Sequence, residues 1–277
     1  MGDRLDRLKV LYHYLRKVRR LPDLAQPRTF TEKVQVAKLT WRSPRMVALA
    51  DKVEAKKVVT ELLGPDWVTP NLFAGPALPE RAARDWPVPY VIKCNHRSGH
   101  NIFIHDEVRD WLPIERQIAS QLKRPYGGRL AEWVYSQIRP QVLVEPFIGG
   151  FTTPVDYKFY TFGGRVAFTS LNWDRFSPGG VKRATFDRDW KRLPFVMNSY
   201  GDYDGSDLPR RPDCYDEMIA GAEVLARGFP FARVDLYEID GRPRFGEVTF
   251  YPQSGLFSMP RQYDLEVGAM WPDGLPT

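Results

Sequence analysis

The chain has 277 residues, of which 43% are hydrophobic, 27% charged and 13% aromatic, with a formal net charge of +6. That length supports a large core in one domain or two, and the aromatic content beside 24 prolines and 21 glycines excludes a disordered chain. Two cysteines, Cys94 and Cys214, exclude a disulfide framework and a structural zinc site, and both are expected to be reduced, as in a cytoplasmic enzyme.

Residues 1–20 carry the densest positive charge. Arg4, Arg7, Lys9, Arg16, Lys17, Arg19 and Arg20 face only Asp3 and Asp6, an excess of five. Leu5, Leu8, Leu11 or Tyr12, Leu15 and Val18 recur at helical spacing, so the segment reads as a basic amphipathic helix. Two readings fit it: a helix that packs its apolar stripe on the domain, or one that lies on an anionic membrane surface. No zinc finger, glycine-rich RNA motif or regular aromatic platform points to nucleic acid. No apolar run nears the ~20 residues that span a bilayer, and no signal-peptide core follows the first charges. An exported product is therefore expected to be handled on the inner side of the membrane.

Pro22 and Pro27 break the chain, and Thr29 or Thr31 suits a helix cap. A long helix is expected over 45–62, stopped by Gly64-Pro65. Residues 90–93 read as a strand, 95–101 as a polar loop and 102–104 as a returning strand. Residues 110–138 read as helical with an interruption at Gly127-Gly128, and 141–145 as a strand leaving at Pro146. Strands at 157–162 and 165–171 meet at Gly163-Gly164. Residues 172–212 show little periodicity and are expected to form a long loop. A helix over 212–227 precedes strands at 231–239 and 243–251. The pattern is α+β, and the absence of GxGxxG and Walker A sequences argues against a doubly wound dinucleotide or P-loop fold.

The last two strands hold the clearest chemistry. Phe231, Arg233, Asp235 and Tyr237 share one face of the first; Phe245, Glu247, Thr249 and Tyr251 share one face of the second. A three-residue loop at 240–242, made natural by a bulge at its glycine, sets Asp235 directly across from Glu247, whereas a two-residue loop puts them on opposite faces. Two facing carboxylates repel, and a hard cation such as Mg²⁺ turns that repulsion into a site that reaches nucleotide phosphates. Arg233 is placed to offset phosphoryl charge. Lys93 ends a strand beside the loop with Ser98 and Gly99, a combination that suits phosphate contact. His96 and His100 flank Gly99 and fit anion or substrate contact better than a helical metal pair. The exit Glu145-Pro146-Phe147 offers backbone groups to a flat ring such as adenine, and Lys158 fits either a functional lysine or a solvated face. Spacing alone leaves each feature its plain structural reading as well: a solvated hairpin, a surface turn, a strand end.

Taken in order, Phe30-Thr31-Glu32-Lys33, Asp51-Lys52, Val91-Ile92-Lys93-Cys94-Asn95-His96-Arg97-Ser98-Gly99, Asp156-Tyr157-Lys158-Phe159, Trp190, the run 231–237 and the run 245–255 resemble the TupA-like ATP-grasp family. The resemblance covers about residues 28–268. It implies an ATP-grasp fold, two α+β subdomains holding ATP between them, with a reduced helical N-terminal region. The implied organisation is a basic helical region at 1–50 and an ATP-grasp domain at 51–277, its smaller subdomain near 85–147 and its catalytic subdomain near 148–268. By motif, Lys52 and Lys93 correspond to phosphate-contacting lysines, and residues 97–101 to a mobile flap. Glu145 and Phe147 correspond to the adenine linker, with Lys158 also on the nucleotide side. Arg233 corresponds to the arginine that steadies the phosphoryl group, and Asp235 and Glu247 to metal ligands. Thr249 stands where the wider superfamily has asparagine. His100, with Lys93 and Arg233, is a candidate for the catalytic set.

The implied activity is an ATP- and Mg²⁺-dependent carboxylate–amine ligase that joins an amine or amino acid to a uronic acid of a cell-surface polysaccharide or its precursor. Three other readings remain beside it: a glycosyltransferase, for which Asp202-Tyr203-Asp204 offers an Asp-x-Asp pair in a loop, a carbohydrate kinase, and a binding module that uses a degenerate site.

Overall fold

The computed structural model describes residues 4–148, 154–174, 177, 179–197 and 203–272. Asp202 of the Asp-x-Asp pair lies outside the described residues.

Four helices lead the chain: α1 (Arg4–Val18), α2 (Phe30–Thr40), α3 (Pro44–Ala50) and α4 (Glu54–Leu63). Thr29 caps α2 in a capping box, its hydroxyl accepting from the Glu32 N–H while the Glu32 carboxylate accepts from the Thr29 N–H. The single helix expected over 45–62 is instead two. The Asp51 carboxylate accepts from the Val53 N–H at 2.9 Å and from the Asn95 amide at 3.0 Å, which turns the chain at 51–53. That break leaves Lys52 outside both helices.

The first sheet has the order β1-β4-β2-β3, built from β1 (Phe73–Gly75), β2 (Tyr90–Cys94), β3 (Ile102–Ile104) and β4 (Val142–Pro146). Every pairing is antiparallel. Tyr90, Ile92, Cys94, Val142 and Val144 form a small core with Ile118 of α5 (Leu112–Lys123). The alternation of the strands therefore sends Val91, Lys93 and Glu145 to the other face.

The second sheet has the order β10-β9-β5-β6-β7-β8. Its strands are β5 (Asp156–Phe162), β6 (Arg165–Trp173), β7 (Lys182–Asp187), β8 (Arg192–Leu193), β9 (Phe231–Ile239) and β10 (Arg242–Thr249). Strands β7 and β8 lie inside the stretch expected to be a long loop. Lys182, Arg183 and Asp187 hide the strand in the sequence, while pairing with β6 and burial of Ala184, Thr185 and Phe186 stabilise it in the fold.

One face of this sheet packs on α7 (Tyr215–Ala226), with Phe159 against Tyr215. The opposite face changes character along its length. At one end Phe162 and Phe231 pack around Phe30 of α2 and Trp271, beyond α8 (Arg261–Ala269). Burial of Phe30 alone contributes roughly 1.5–3 kcal/mol. At the other end the same face presents Asp156, Lys158, Arg233 and Asp235.

The β9–β10 turn corrects the expected loop. It has two residues, Asp240 (φ 53°) and Gly241 (φ 71°), with Ile239 opposite Arg242. By register alone this would put Asp235 opposite Gly246. A bulge between Phe245 and Glu247 shifts the pairing by one, and Glu247 comes to lie opposite Asp235. Glycine suits position 246, because a Cβ there would lie 2.9 Å from the Tyr237 ring and 3.0 Å from the Asp235 carbonyl oxygen, and the ring would have to shift.

Candidate active site

Cross-strand register assembles the charged end of the second sheet. Lys158 on β5 pairs opposite Asp235 on β9, and Arg233 pairs opposite Thr249 on β10. The Lys158 Nζ lies 2.6 Å from Asp235 and 2.7 Å from Asp156. Arg233 donates through Nε at 2.7 Å and Nη2 at 2.8 Å to the two Asp235 oxygens, a bidentate fork. Its Nη2 also reaches Thr249 Oγ1 at 3.0 Å and Glu247 Oε1 at 3.4 Å. Burial opposes the charge on Arg233, but Asp235, Tyr160 and Glu247 outweigh it and hold the guanidinium well above its usual pKa. Burial likewise pushes Glu247 up, yet Lys52, Arg233, Lys158 and Lys93 pull it down to about 2.

The first sheet and the α3–α4 turn supply the facing wall. Lys52 lies 3.5 Å from Glu247 and donates to the Arg97 carbonyl at 3.0 Å, which ties the flap to the hairpin. Lys93 and Lys56 both pair with the Glu145 carboxylate, Lys56 at 2.5 Å. Burial raises the Glu145 pKa, and the two lysines reverse this and bring it to about 2. A cavity of about 330 Å³ lies between the two sheets, lined by Lys52, Lys56, Lys93, Ser98, Gly99, Glu145, Lys158, Arg233, Asp235 and Glu247. An apolar slot of about 100 Å³ adjoins it, formed by Val91, Phe103, Phe147, Ile148 and Tyr237.

The structure thus brings together ten of the twelve residues expected from sequence in one chamber or its slot: Lys52, Lys93, Ser98, Gly99, Glu145, Phe147, Lys158, Arg233, Asp235 and Glu247. Thr249 joins through its hydrogen bond to Arg233. His100 is not brought in. Its side chain is exposed, and its carbonyl accepts from Gln121 of α5. Glu145 differs from its expected part as well: its carboxylate is the counter-ion of two lysines, pointing into the chamber. The Phe147 N–H is already donated to the Pro89 carbonyl at 3.0 Å, so what this residue presents to the slot is its ring, packed edge-on to Phe103.

The donor set fits Mg²⁺ held jointly by protein and phosphate. Asp235, Glu247 and Thr249 offer only hard oxygen donors, and Glu247 is ionised with its side chain one-third exposed to the chamber. Among the described residues no group of three or more His, Cys, Asp or Glu side chains is gathered to enclose a metal by itself. Phosphate oxygens and water would complete the shell, which is the usual habit of this ion. A triphosphate fits the four cations Lys52, Lys93, Lys158 and Arg233, with a flat base in the slot between Val91 and Phe147.

Two further cavities open on the Arg233 wall. One, of about 260 Å³, is lined by Lys158, Ser170, Asn172, Arg183, Arg233 and Gln253. The other, of about 380 Å³, has Tyr126, Glu132, Tyr135, Tyr251 and Ser254 on its far side, with Lys52, Arg233 and Glu247 on its near side. Lys38 of α2 anchors its floor, donating to the Ser254 carbonyl at 3.1 Å and hydroxyl at 3.0 Å. Burial lowers Lys38 to about 8 and raises Glu132 to about 7. The floor is a strained turn with Gln253, Ser254 and Gly255 all at positive φ, and Gln35 holds the Ser254 and Gly255 carbonyls at 3.0 Å.

Sequence reasoning missed Lys56, Asp156, Arg183, Lys38 and Glu132. Lys56 follows Lys52 by four, and Asp156 precedes Lys158 by two on one strand face, so spacing pointed to both. Nothing local marks Lys38 or Glu132, which meet only through Ser254.

A model of the TupA-like ATP-grasp family matches residues 32–271. No match was found among curated proteins. Among solved structures, the chain is similar to the ATP-grasp ligase PsnB with a minimal precursor, at 12% identity and a TM-score of 0.42, covering 83% of this chain and 63% of that one. It is similar to an L-amino acid ligase from Bacillus licheniformis at 14% identity and a TM-score of 0.46, covering 81% of this chain and 48% of that one. For D-alanine–D-alanine ligase from Bacillus anthracis with ATP the values are 15%, 0.41, 79% and 61%. The chain therefore spans about half to three-fifths of the length of these structures. With the family model covering most of its length, this α+β chain belongs to the TupA-like ATP-grasp family.

Proposed function

We propose that the chain is an ATP- and Mg²⁺-dependent carboxylate–amine ligase that joins an amine or amino acid to a uronic acid of a cell-surface polysaccharide or its precursor, on the cytoplasmic side of the membrane. The observation that carries this reading is the meeting of three compartments at Arg233. The phosphate chamber lies on one side, a cationic cavity with Arg183 on the second, and a cavity ending in Glu132 on the third. A ligase needs that convergence, because the carboxylate must reach the γ-phosphoryl group and the amine must then reach the acyl carbon beside it.

The roles follow from the charges. Lys158, Arg183 and Arg233 suit a carboxylate in the smaller cavity. Its oxygen would attack the γ-phosphorus, with ADP leaving, while Lys52, Lys93 and Arg233 hold the phosphoryl oxygens. An amine arriving as ammonium suits the Glu132 cavity. Glu132, raised to about 7, takes up its proton, the nitrogen attacks the acyl carbon, and phosphate departs. Ser98 and Gly99 lie over the chamber, and Gly99 at φ 76° has no atom within 4 Å of where a Cβ would be, which suits a segment that closes to exclude water.

The test is turnover by the full chain with Mg²⁺·ATP, glucuronic or galacturonic acid, and a panel of amino acids. ADP and phosphate released only when both substrates are present support the ligase. A stable sugar phosphate would indicate a kinase, and turnover with a nucleotide sugar but without ATP a glycosyltransferase; either would overturn the proposal.

A further inference from the structure

Helix α1 turns its apolar stripe away from the protein. Leu5, Leu8, Tyr12 and Leu15 are 55%, 63%, 57% and 48% exposed. At about 100° per residue these four fall within an arc of about 80°. Val10 and Tyr14, the buried residues of the helix, lie on the opposite side. Tyr14 bonds Thr31, and Val10 packs with Leu39 of α2 and Ala131. The helix is therefore already seated by its other face, and the stripe does not pack on the described part of the domain, as the simpler of the two sequence readings expected.

Charge surrounds the stripe on both flanks. Arg4 borders one edge, and Lys9 and Arg16 the other; Arg16 donates to the Tyr12 hydroxyl at 3.1 Å, so its cationic head stays beside the ring. Arg7 and Lys17 lie away from the stripe on the rest of the helix surface, Lys9 is also paired with Asp6, and Arg20 is turned inward to Glu32 and Asp264. An apolar arc rimmed by cations is complementary to a surface that is apolar inside and anionic at its boundary.

We infer that α1 docks flat on an anionic lipid bilayer, with Leu5, Leu8, Tyr12 and Leu15 buried at the interface. No helix among the described residues is long and apolar enough to cross a membrane, so the contact is peripheral. The position of the helix gives the contact a use. Val10 packs on Ala131, in the segment that supplies Leu130 and Glu132 to the larger cavity. A docked α1 holds that cavity close to the lipid surface, where a substrate carried on a lipid would be presented. This last consequence rests on the ligase reading; the lipid binding does not.

Flotation of the full chain tests the contact, using phosphatidylcholine vesicles with about one-third phosphatidylglycerol against pure phosphatidylcholine. Binding is expected on the anionic vesicles and should weaken as salt rises. Leu8→Ser with Leu15→Ser should lower the partition at least roughly tenfold with the melting curve unchanged, since both side chains are exposed. Tyr12→Cys carrying an environment-sensitive fluorophore should shift to the blue on anionic vesicles, the native Cys94 and Cys214 being buried. Equal partition of wild type and the double serine variant would overturn the inference, as would failure of the wild type to bind anionic vesicles. A dimer that shields the fluorophore before lipid is added would overturn it too, by giving the stripe to a second copy. No ATP or sugar enters this assay, so its failure and that of the ligase reading are separate results.

Discussion

The phosphate chamber and the Glu132 cavity share Lys52, Arg233 and Glu247 as a common wall, yet Glu145 and Glu247 of the first are shifted down while Glu132 of the second is shifted up. In the chamber Glu247 and Glu145 each meet more than one cation. Glu247 faces Lys52 and Arg233, Glu145 faces Lys56 and Lys93, and both are held down to about 2. Behind the wall a single lysine stands near Glu132. There burial wins on both partners, taking Glu132 up to about 7 and Lys38 down to about 8. The balance between burial and nearby cations decides the sign, and Asp235, which meets both Arg233 and Lys158, is deep enough that burial still raises it. Glu145 and Glu247 keep the fixed charge that the proposed phosphate and metal sites need, whereas Glu132 is able to exchange a proton near neutrality.

The sharpest way to break the comparison is to remove the shared cation. Arg233→Met should lower ADP release with Mg²⁺·ATP and both substrates by about 10³-fold or more. Circular dichroism should show the fold retained, because the aromatic end of the sheet is untouched. A loss of less than about tenfold would mean that Arg233 serves only Asp235. Glu247→Gln comes next. It should lower turnover by about 10²–10³-fold and raise the Mg²⁺ concentration needed for half-maximal rate. Near-normal turnover with an unchanged Mg²⁺ requirement would remove Glu247 from the metal site.

Much of the chamber was legible because strand alternation is a short-range code. Arg233 and Asp235 could be set on one face from period two alone, whereas Lys158 stayed open between a functional and a solvated face until the β5–β9 register set it opposite Asp235. The facing of Asp235 and Glu247 was legible only as a condition on the loop, and the structure met it by another route. The turn is the shorter one, and the bulge sits at Gly246, where a Cβ would crowd the neighbouring Tyr237 ring. Such a bulge depends on a cross-strand contact that no local pattern announces. Strand β7 was hidden for a related reason: Lys182, Arg183 and Asp187 have weak strand character, and pairing with β6 overrides it. His100 is the reverse case. A histidine in a glycine-containing loop looks chemical in sequence, yet the side chain is exposed and lines none of the cavities described above. Lys38 and Glu132 lie 94 positions apart in the numbering and meet through Ser254 in a left-handed turn, so only the fold brings them together.

Glu132→Gln sharpens the contrast from the other side of the wall. Coupling to the amine should fall by about 10²-fold, while trapping of the activated carboxylate by hydroxylamine should stay within a few-fold. The wild-type coupling rate should rise as pH increases through about 7, when Glu132 becomes the base form, and that limb should vanish in the variant. The groups that face Glu132 are Lys38 from α2, Tyr126 and Tyr135 from its own segment, and Tyr251 after β10; among these only Lys38, at about 8, titrates close enough to blur the limb. Loss of hydroxylamine trapping in step with coupling would move Glu132 out of the amine site.

The smallest expected effect is on stability, and it carries the contrast in its sign. Glu145 sits at about 2 in the folded chain against an ordinary 4.5. As pH falls the unfolded chain takes up that proton first, so this contribution is complete above about 4.5 and lost toward pH 2. Glu132 is the opposite case. At about 7 the folded chain keeps a proton that the unfolded chain has already released, so stability falls as pH rises from 4.5 to 7 and then levels. Lys38, lowered from 10.5 to about 8, adds a gain only as pH rises through that higher window. The melting temperature of the wild type should therefore climb from acid to about pH 4.5–5 and decline modestly toward 7. Glu145→Gln should reduce the acid limb, Glu247 keeping its own share, and Glu132→Gln should flatten the neutral one. The stability difference between Glu132→Gln and wild type should grow by on the order of 1–3 kcal/mol across pH 4.5 to 7. Parallel curves over that window would mean that Lys38 compensates Glu132 as fully as Lys56 and Lys93 compensate Glu145, and the two regions would then differ in shape alone.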